Sequence, residues 1–274
     1  MPELPEVETV VRGLRECIAG KTIKDIGYIA PHLRKLNLRG FVKRVAGRKI
    51  GSINRVGKNI FINLDDGAVF MVHLRMTGQL LFCFQNSLND PHNHLKINFI
   101  ENGEALIFRD VRKFGHFIYA PANKRQAWFE SMKLGTDALK IDADGFVELL
   151  RSKHRMIKPL LLDQSVIAGL GNIYVDEILH RSKVHPKKLS SKIAPRKLRE
   201  MHARMQKILR LSIENMGTTF DSFSGVNSEP GRNQNYLLAY NNAGRVCSLC
   251  GKRKIKRIVV AQRGTFICTN CQRI

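Results

Sequence analysis

Two cysteine pairs near the end of the chain constrain its folding more than any other feature. Cys247-x-x-Cys250 and Cys268-x-x-Cys271 are separated by 17 residues, the spacing with which two β-knuckles offer four thiolates to one tetrahedral metal ion. A segment this short cannot bury a core of its own, so the metal must stand in for one. The set implies one structural Zn2+ on Cys247, Cys250, Cys268 and Cys271. Thiolates take all four positions, which leaves no place for a catalytic water. What the ion holds is a basic ribbon carrying Lys252, Arg253, Lys254, Lys256, Arg257 and Arg263, with Arg263 presented on a hairpin. Cys17 and Cys83 read as buried small hydrophobes, and disulfides are not expected in a reducing compartment.

The ribbon's charge is part of a larger imbalance. The chain has 46 Lys and Arg against 23 Asp and Glu, a formal charge of +23, far beyond what solubility requires. Residues 151–274 hold 24 of the basic side chains but 7 of the acidic ones, so the second half is the phosphate-binding half. Nucleic acid is the first choice of partner; charge alone leaves an anionic membrane or ribosomal RNA open. Apolar runs such as residues 68–74 fall well short of the ~20 residues of a membrane span, and the acid-rich start is no secretory signal. The expectation is an intracellular, cytoplasmic protein. With 274 residues, 43% of them hydrophobic, two domains are expected rather than one.

Hydrophobic periodicity divides the chain. Val7, Val10, Val11, Leu14 and Ile18 recur at helical spacing behind Pro5, which a first helical turn tolerates. From about residue 22 to 120 the period falls to two, with β-rich runs at 22–29, 50–56, 59–64, 69–74, 79–84, 95–100, 105–109 and 116–119. Asp65-Asp66-Gly67 and Glu101-Asn102-Gly103 punctuate them as hairpin turns, which predicts an antiparallel sandwich or barrel. Beyond residue 121 the pattern turns helical at 126–132, 143–152, 158–163, 171–181 and 195–216. The expected fold class is therefore multidomain α and β: an N-terminal helix with an antiparallel β-sandwich over 1–120, a linker over 121–145, an all-helical domain over 146–238 and the zinc ribbon over 239–274. The Gly-, Ser- and Asn-rich stretch 217–245 is long enough to expect a function of its own.

Two further stretches carry chemistry. If Met1 is removed, as is usual before a small residue, Pro2 becomes a secondary amine beside the carboxylate of Glu3. Such an amine can attack an aldehyde-like carbon and form an iminium, and a terminal amine titrates near pH ~8. A Pro-interrupted lead-in to the first helix is the bland alternative. In the middle of the chain, Arg155-x-x-Lys158-Pro-Leu-Leu-Leu-Asp163-Gln164 runs into Ile167-Ala-Gly169-Leu-Gly171-Asn172-Ile-Tyr174, a helix, a glycine-rich turn and a second helix. Gly169 and Gly171 let backbone amides approach a phosphate, the helix N-terminus attracts it, and Asn172 adds a donor. A plain helix-packing turn would look much the same.

With Pro2-Glu3-Leu4-Pro5-Glu6 at one end, this helix–two-turn–helix segment in the middle and the four-cysteine ribbon at the other, nearly the whole chain resembles bacterial formamidopyrimidine-DNA glycosylase. The resemblance implies a bifunctional base-excision-repair enzyme. It would excise 8-oxoguanine opposite cytosine and ring-opened purines from damaged duplex DNA, then cut the strand by β,δ-elimination as a monomer, with no soluble cofactor. Pro2 would attack C1′ of a flipped-out nucleoside and Glu3 would protonate the deoxyribose ring oxygen. Lys58 matches the family's lysine that contacts phosphate and is implicated in catalysis, and Arg263 the arginine assigned to δ-elimination. Met76, Arg112 and Phe114 match the side chains that fill the void left by the flipped base, Arg112 also pairing with the orphaned cytosine. His73 and His92 match backbone-contacting positions, with Arg155 a weaker candidate of the same kind. Glu6 suits helix capping better than proton transfer.

The chain also departs from the family. Pro230-Gly231-Arg232-Asn233-Gln234 replaces a Pro-Gly-aromatic-aromatic-Gln pattern, and Leu238-Ala-Tyr240-Asn241-Asn242 an expected valine-tyrosine-glycine-arginine. Both lie beside the loop over 218–229 that would cap the lesion, so the damage spectrum is less determined than the chemistry. Leu4, Met76 and Phe114 favour the purine-specific branch over the endonuclease VIII branch, which prefers oxidised pyrimidines. A scaffold that binds DNA without catalysis would have lost Pro2, Glu3 or Lys58. An unrelated zinc-ribbon factor would leave the N-terminal motif unexplained.

Overall fold

A computed structural model describes residues 1–30, 33, 41–84, 90–220 and 223–274. Its described residues form two compact units: Met1–Lys133 with Asn215–Arg232, and Leu134–Glu214 with Asn233–Ile274.

In the first unit, helix α1 (Leu4–Ile18) starts on a capping box. The Glu3 side chain accepts the Glu6 N–H, and the Glu6 side chain accepts the Glu3 N–H at 2.8 Å, so two helix-end donors are satisfied reciprocally. The apolar stripe read from the sequence is buried: Val7, Val10, Val11, Leu14 and Ile18 are each at most 1% exposed, contributing about 1.5–3 kcal/mol apiece. They join a core that also takes in Ile53, Ile60 and Val72 from one sheet and Leu80, Ile97 and Phe108 from another.

The sheets are those of a sandwich. One has the order β1 (Ile23–Ile29), β6 (Asn93–Phe99), β7 (Glu104–Asp110), β5 (Gly78–Phe84); the other runs β2 (Ile50–Val56), β3 (Asn59–Leu64), β4 (Val69–His73), β8 (His116–Ala120). All pairings within them are antiparallel. The short helix α2 (Phe41–Val45), which carries no clear periodicity, places Phe41 against Phe70 and Tyr119. Strand β3 is buried on both faces, because its Phe61, together with Val69 and Met71 of the neighbouring β4, lies under Trp128 of α3 (Ala122–Ser131) and Met132. The 215–232 segment packs into the same core through Phe223 and Val226, and Val226 O accepts the Phe82 N–H at 3.1 Å. Asp221 and Ser222, inside the expected capping loop, lie outside the described residues.

The second unit contains α4 (Ala143–Arg151), α5 (Ile157–Leu162), α6 (Asn172–Arg181) and α7 (Pro195–Glu214), with α7 packed on α4 and α6. It is not purely helical. Thr136–Asp137 (β9) and Ile167–Ala168 (β10) pair in parallel, two residues each and too short for periodicity to reveal. Gly135 permits the approach, since a Cβ there would lie 2.2 Å from Val166 O. The ribbon is a hairpin of β11 (Lys256–Val260) and β12 (Arg263–Ile267). Ala261 and Gln262 both adopt positive φ, 46° and 61°, as a two-residue turn matching the strand twist requires.

Candidate functional site

The capping box puts the N-terminal carboxylates in fixed places. Pro2 is buried, and Glu3 and Glu6 are 2% and 1% exposed. Glu6 spends both oxygens on backbone: Oε2 accepts the Glu3 N–H and Oε1 the Thr218 N–H at 2.7 Å. It therefore ties the first turn of α1 to Thr218, at the start of the expected capping loop, a role in helix capping and orientation. Gly217 has φ 78°, and a Cβ there would meet Glu6 Cγ at 2.9 Å.

A second chain of contacts carries α1 to Lys58. Glu8 accepts Arg55 Nε at 2.9 Å, and Arg55 donates through an η nitrogen to Gly57 O at 2.9 Å. Gly57 and Lys58 form the two-residue turn between β2 and β3, with Gly57 at φ 59°. A turn lysine is ordinarily solvated, yet Lys58 is 6% exposed. Its neighbour Asn59 pairs with His73 across the sheet. Burial, with the Arg75 and Lys58 charges behind it, pushes the His73 imidazole down to about 3. His73 Nδ1 accepts the Arg75 N–H at 3.0 Å, so the ring is neutral and its proton sits on Nε2, a donor of the kind that suits a phosphate oxygen.

Three exposed side chains stand on neighbouring turns of the same unit. Met76, in the turn between β4 and β5, is 40% exposed, and Phe114, between β7 and β8, is 51% exposed. Arg112 stacks its guanidinium over the Phe114 ring at 4.9 Å. His92 is half-buried, its N–H bonded to Asp90 Oδ1 at 2.8 Å and its carbonyl accepting the Asp110 N–H at 2.9 Å. His116, which sequence reasoning passed over, faces His73 across β4 and β8 and lies 3.4 Å from an Arg75 guanidinium nitrogen. Burial first and Arg75 second push its pKa down.

In the second unit Gln164 builds the two-turn. Its amide donates to Leu162 O and Leu170 O at 2.9 Å and accepts the Gly169 N–H at 3.0 Å, and Gly169 itself needs φ 112°. Arg155 is exposed and pairs with Asp163 at 2.8 Å; the Ser165 hydroxyl and Arg155 hold that carboxyl below its usual range.

Helix α6 then presents Asn172, Asp176 and His180 at i, i+4 and i+8, one stripe facing the ribbon. Asn172 Nδ2 donates to Gly264 O at 3.0 Å, and Asp176 Oδ2 accepts the Phe266 N–H at 2.9 Å. His180 Nε2 lies 3.7 Å from Cys247 Sγ, and its Nδ1 lies 3.2 Å from Gln272 Oε1. Lys158 from α5 completes the stripe: fully buried, it donates to Asp176 Oδ1 at 2.6 Å, Thr265 Oγ1 at 2.8 Å and Gly264 O at 3.2 Å. Burial nonetheless lifts the Asp176 carboxyl to about 6 against the pull of Lys158. Arg263, exposed at the start of β12, thus projects from a hairpin whose neighbouring residue Gly264 is bonded to Asn172 and Lys158.

The four cysteine sulfurs lie within 4.8 Å of one another, with Cys247–Cys271 at 3.9 Å and Cys250–Cys268 at 3.7 Å. Zinc–sulfur bonds of ~2.3 Å in a tetrahedron require sulfur–sulfur edges of about 3.8 Å, so the donor set fits one Zn2+. Backbone N–H groups of Lys252 and Arg253 help bring the Cys250 thiol down to about 6, which favours the thiolate a metal needs. The metal's part is to hold the ribbon.

The first unit carries Pro2, Glu3, Lys58, His73, His92, Met76, Arg112 and Phe114, with α1 linked to the Lys58 turn through Glu8 and Arg55 and with Arg112 stacked on Phe114; the second carries Arg155 and the four cysteines and joins Asn172 to the Arg263 hairpin. Sequence reasoning missed the Lys158–Asp176 pair because a lysine and an aspartate 18 residues apart carry no pattern that announces pairing. Its one signal was a lysine heading the apolar run Pro159-Leu-Leu-Leu162.

Comparison with known proteins adds three matches in series. Residues 1–117 match the formamidopyrimidine-DNA glycosylase N-terminal domain, 134–224 the formamidopyrimidine-DNA glycosylase H2TH domain, and 244–274 a zinc finger found in FPG and IleRS. The chain is 38% identical to formamidopyrimidine-DNA glycosylase of Pelotomaculum thermopropionicum and 38% to that of Streptococcus mutans, over the full length of both partners in each case. Among solved structures, it is similar to wild-type Lactococcus lactis Fpg in complex with an N7-benzyl-Fapy-dG containing DNA, with 35% identity, a TM-score of 0.91 and full coverage of both chains. It is likewise similar to MutM in complex with carbocyclic 8-oxo-G containing DNA, with 34% identity, a TM-score of 0.90 and the same coverage.

Proposed function

The chain belongs to the formamidopyrimidine-DNA glycosylase family, a base-excision-repair DNA glycosylase with AP lyase activity, and we propose that the residues gathered at the start of α1 and on the Arg263 hairpin carry out its two reactions. With Met1 removed, the Pro2 nitrogen bonds to C1′ of the flipped nucleotide while the oxidised purine leaves with the glycosidic electron pair and a proton. Glu3 gives a proton to the ring oxygen, the C1′–O4′ bond opens, and an iminium forms between Pro2 and C1′. The iminium acidifies the C2′ proton, whose loss expels the 3′ phosphate. A second elimination expels the 5′ phosphate, and Arg263 neutralises the charge on that leaving group. Lys58, His73, His92, Arg155 and Asn172 bind phosphates, while Met76, Arg112 and Phe114 occupy the vacated stack. Zinc takes no step in this. One copy of the chain suffices, acting on damaged duplex DNA in the bacterial cytoplasm at the nucleoid. No helix among the described residues is long and apolar enough to cross a membrane.

One observation carries this reading: a carboxylate next to residue 2, only 2% exposed, is fixed at the mouth of α1 by reciprocal capping, and Glu8, Arg55 and Gly57 link the same helix to a buried Lys58. Leu4, Met76 and Phe114 direct the activity to oxidised purines. Borohydride trapping tests it. Protein with a free Pro2 amine is expected to become covalently attached to a duplex bearing 8-oxoguanine opposite cytosine, and protein that retains Met1, whose Pro2 nitrogen is an amide, is not. Equal trapping by the Met1-retaining form would overturn the assignment of Pro2.

A further inference from the structure

The β4–β5 and β7–β8 turns meet on one buried carboxylate that no step above uses. Asp110 ends β7 opposite Gly78 of β5 and is 0% exposed. Its Oδ1 accepts the Thr77 hydroxyl at 2.5 Å and the Arg112 N–H at 3.2 Å, and its Oδ2 accepts the Gly115 N–H at 2.6 Å. Thr77 Oγ1 also accepts the Arg112 N–H at 3.2 Å, so hydroxyl, amide and carboxylate close a small ring across the two turns. The Asp110 carbonyl receives His94 Nε2 at 2.7 Å and the Lys113 N–H at 3.3 Å. Burying a carboxylate is unfavourable unless its lone pairs are used, and these are used on the turns that carry Met76 on one side and Arg112 and Phe114 on the other. Gly115 admits the arrangement, since a Cβ there would lie 2.6 Å from Phe108 Cζ and 3.0 Å from Asp110 Oδ2.

We propose that Asp110 is the positioning residue of the wedge. By bonding both turns at once it sets Met76 relative to Arg112 and Phe114 before DNA arrives, so the ordering of three exposed side chains does not oppose base extrusion. The proposal rests on the reading of those three residues as the wedge. Asp110 touches no reacting atom, so its loss slows entry into the extrahelical complex and spares elimination at a site that has no base to extrude. A carboxamide of the same shape cannot accept at both ends: Asp110→Asn turns an NH2 group either on Thr77 and Arg112 or on Gly115.

Three variants decide the matter: D110N, T77V and the double variant M76A/F114A. Each is assayed for single-turnover excision from an 8-oxoguanine·cytosine duplex, for the stopped-flow signal of 2-aminopurine beside the lesion, and for cutting at a preformed abasic site. D110N is expected to slow excision and the 2-aminopurine phase at least about tenfold, the loss of a charge-assisted hydrogen bond, with abasic-site cutting within about threefold of wild type. T77V, which removes the bridging hydroxyl without changing shape, gives the same pattern at roughly three- to tenfold. It decides the question should D110N fail to fold. Wild-type extrusion in folded D110N or in T77V, or equal loss of excision and abasic-site cutting, would overturn the proposal. Unimpaired excision by M76A/F114A refutes the wedge reading itself; impaired excision there with normal D110N and T77V refutes only the role of Asp110.

Discussion

A histidine held at a pKa of about 3 is a donor of fixed sign across the whole physiological range. Because His73 Nδ1 accepts the Arg75 N–H, its Nε2 proton is available to a phosphate oxygen without adding charge. The ring signals of His73 should therefore stay constant in NMR spectra between pH 5 and 8. The same shift has a stability consequence whose direction is definite. Below its ordinary pKa of about 6.5 the unfolded chain takes up a proton at this residue, and the folded chain does not until about pH 3. The contribution of His73 to native stability is thus intact above pH 6.5 and falls as the pH drops, by up to about 1.4 kcal/mol per unit. His73→Gln should flatten that acid limb in urea unfolding of the first unit between pH 4.5 and 7. An unchanged limb would mean the imidazole is not buried as described.

The element that organises the second unit is α6, whose residues Asn172, Asp176 and His180 hold the ribbon at successive turns. A salt bridge at 0% exposure on both sides contributes little compared with an apolar pair, but removing one partner strands the other, at about 3–5 kcal/mol. Lys158→Met should destabilise the second unit by that order at pH 7.5, and by less at pH 5.5. The sign follows from Asp176: its carboxyl, already lifted to about 6 by burial, rises further once the ammonium is gone. The penalty grows as pH rises and relaxes as the acid is protonated. Chemical denaturation of the variant at the two pH values checks this. Arg263 belongs to the same element scale. Arg263→Ala should lower the slope of log affinity against log salt by about 1, the share of one phosphate contact, in DNA titrations at several salt concentrations. An unchanged slope would remove Arg263 from the phosphate interface.

For the whole molecule, charge and zinc act on different quantities. The +23 excess makes DNA binding steeply salt-dependent whatever the lesion, whereas zinc decides whether the ribbon exists at all. Chelation, or Cys268→Ser, should abolish DNA binding and leave the thermal transition of the β-sandwich in place, as read by circular dichroism and a binding titration on one sample. Binding that survives zinc removal would contradict the role given to the ribbon. Retention of Met1 is also a property of the whole chain, and intact mass of the purified protein reads it directly. Only the fraction lacking Met1 should trap on DNA.

Local pattern was enough to locate most elements. Period-two runs found the eight sandwich strands to within a few residues, and the helical stripe of α1 and the four cysteine positions were plain, because alternation, 3.6-residue spacing and ligand spacing are written in neighbouring residues. The pattern failed where length prevailed, since α2, β9 and β10 are too short for any period; it found β3 but not the burial of both its faces, because the cover on the outer side comes from Trp128 and Met132, far along the chain. The site divides the same way. Pro2, Glu3 and the cysteines declare themselves by order along the chain. By contrast, the burial of Lys58, the neutral state of His73, the Lys158–Asp176 pair and the convergence of two turns on Asp110 are products of long-range contacts, since desolvation and hydrogen-bond partners come from residues far away in sequence. What the sequence determined alone was which groups are present and on which elements; which of them are buried, paired or held ready was decided by packing.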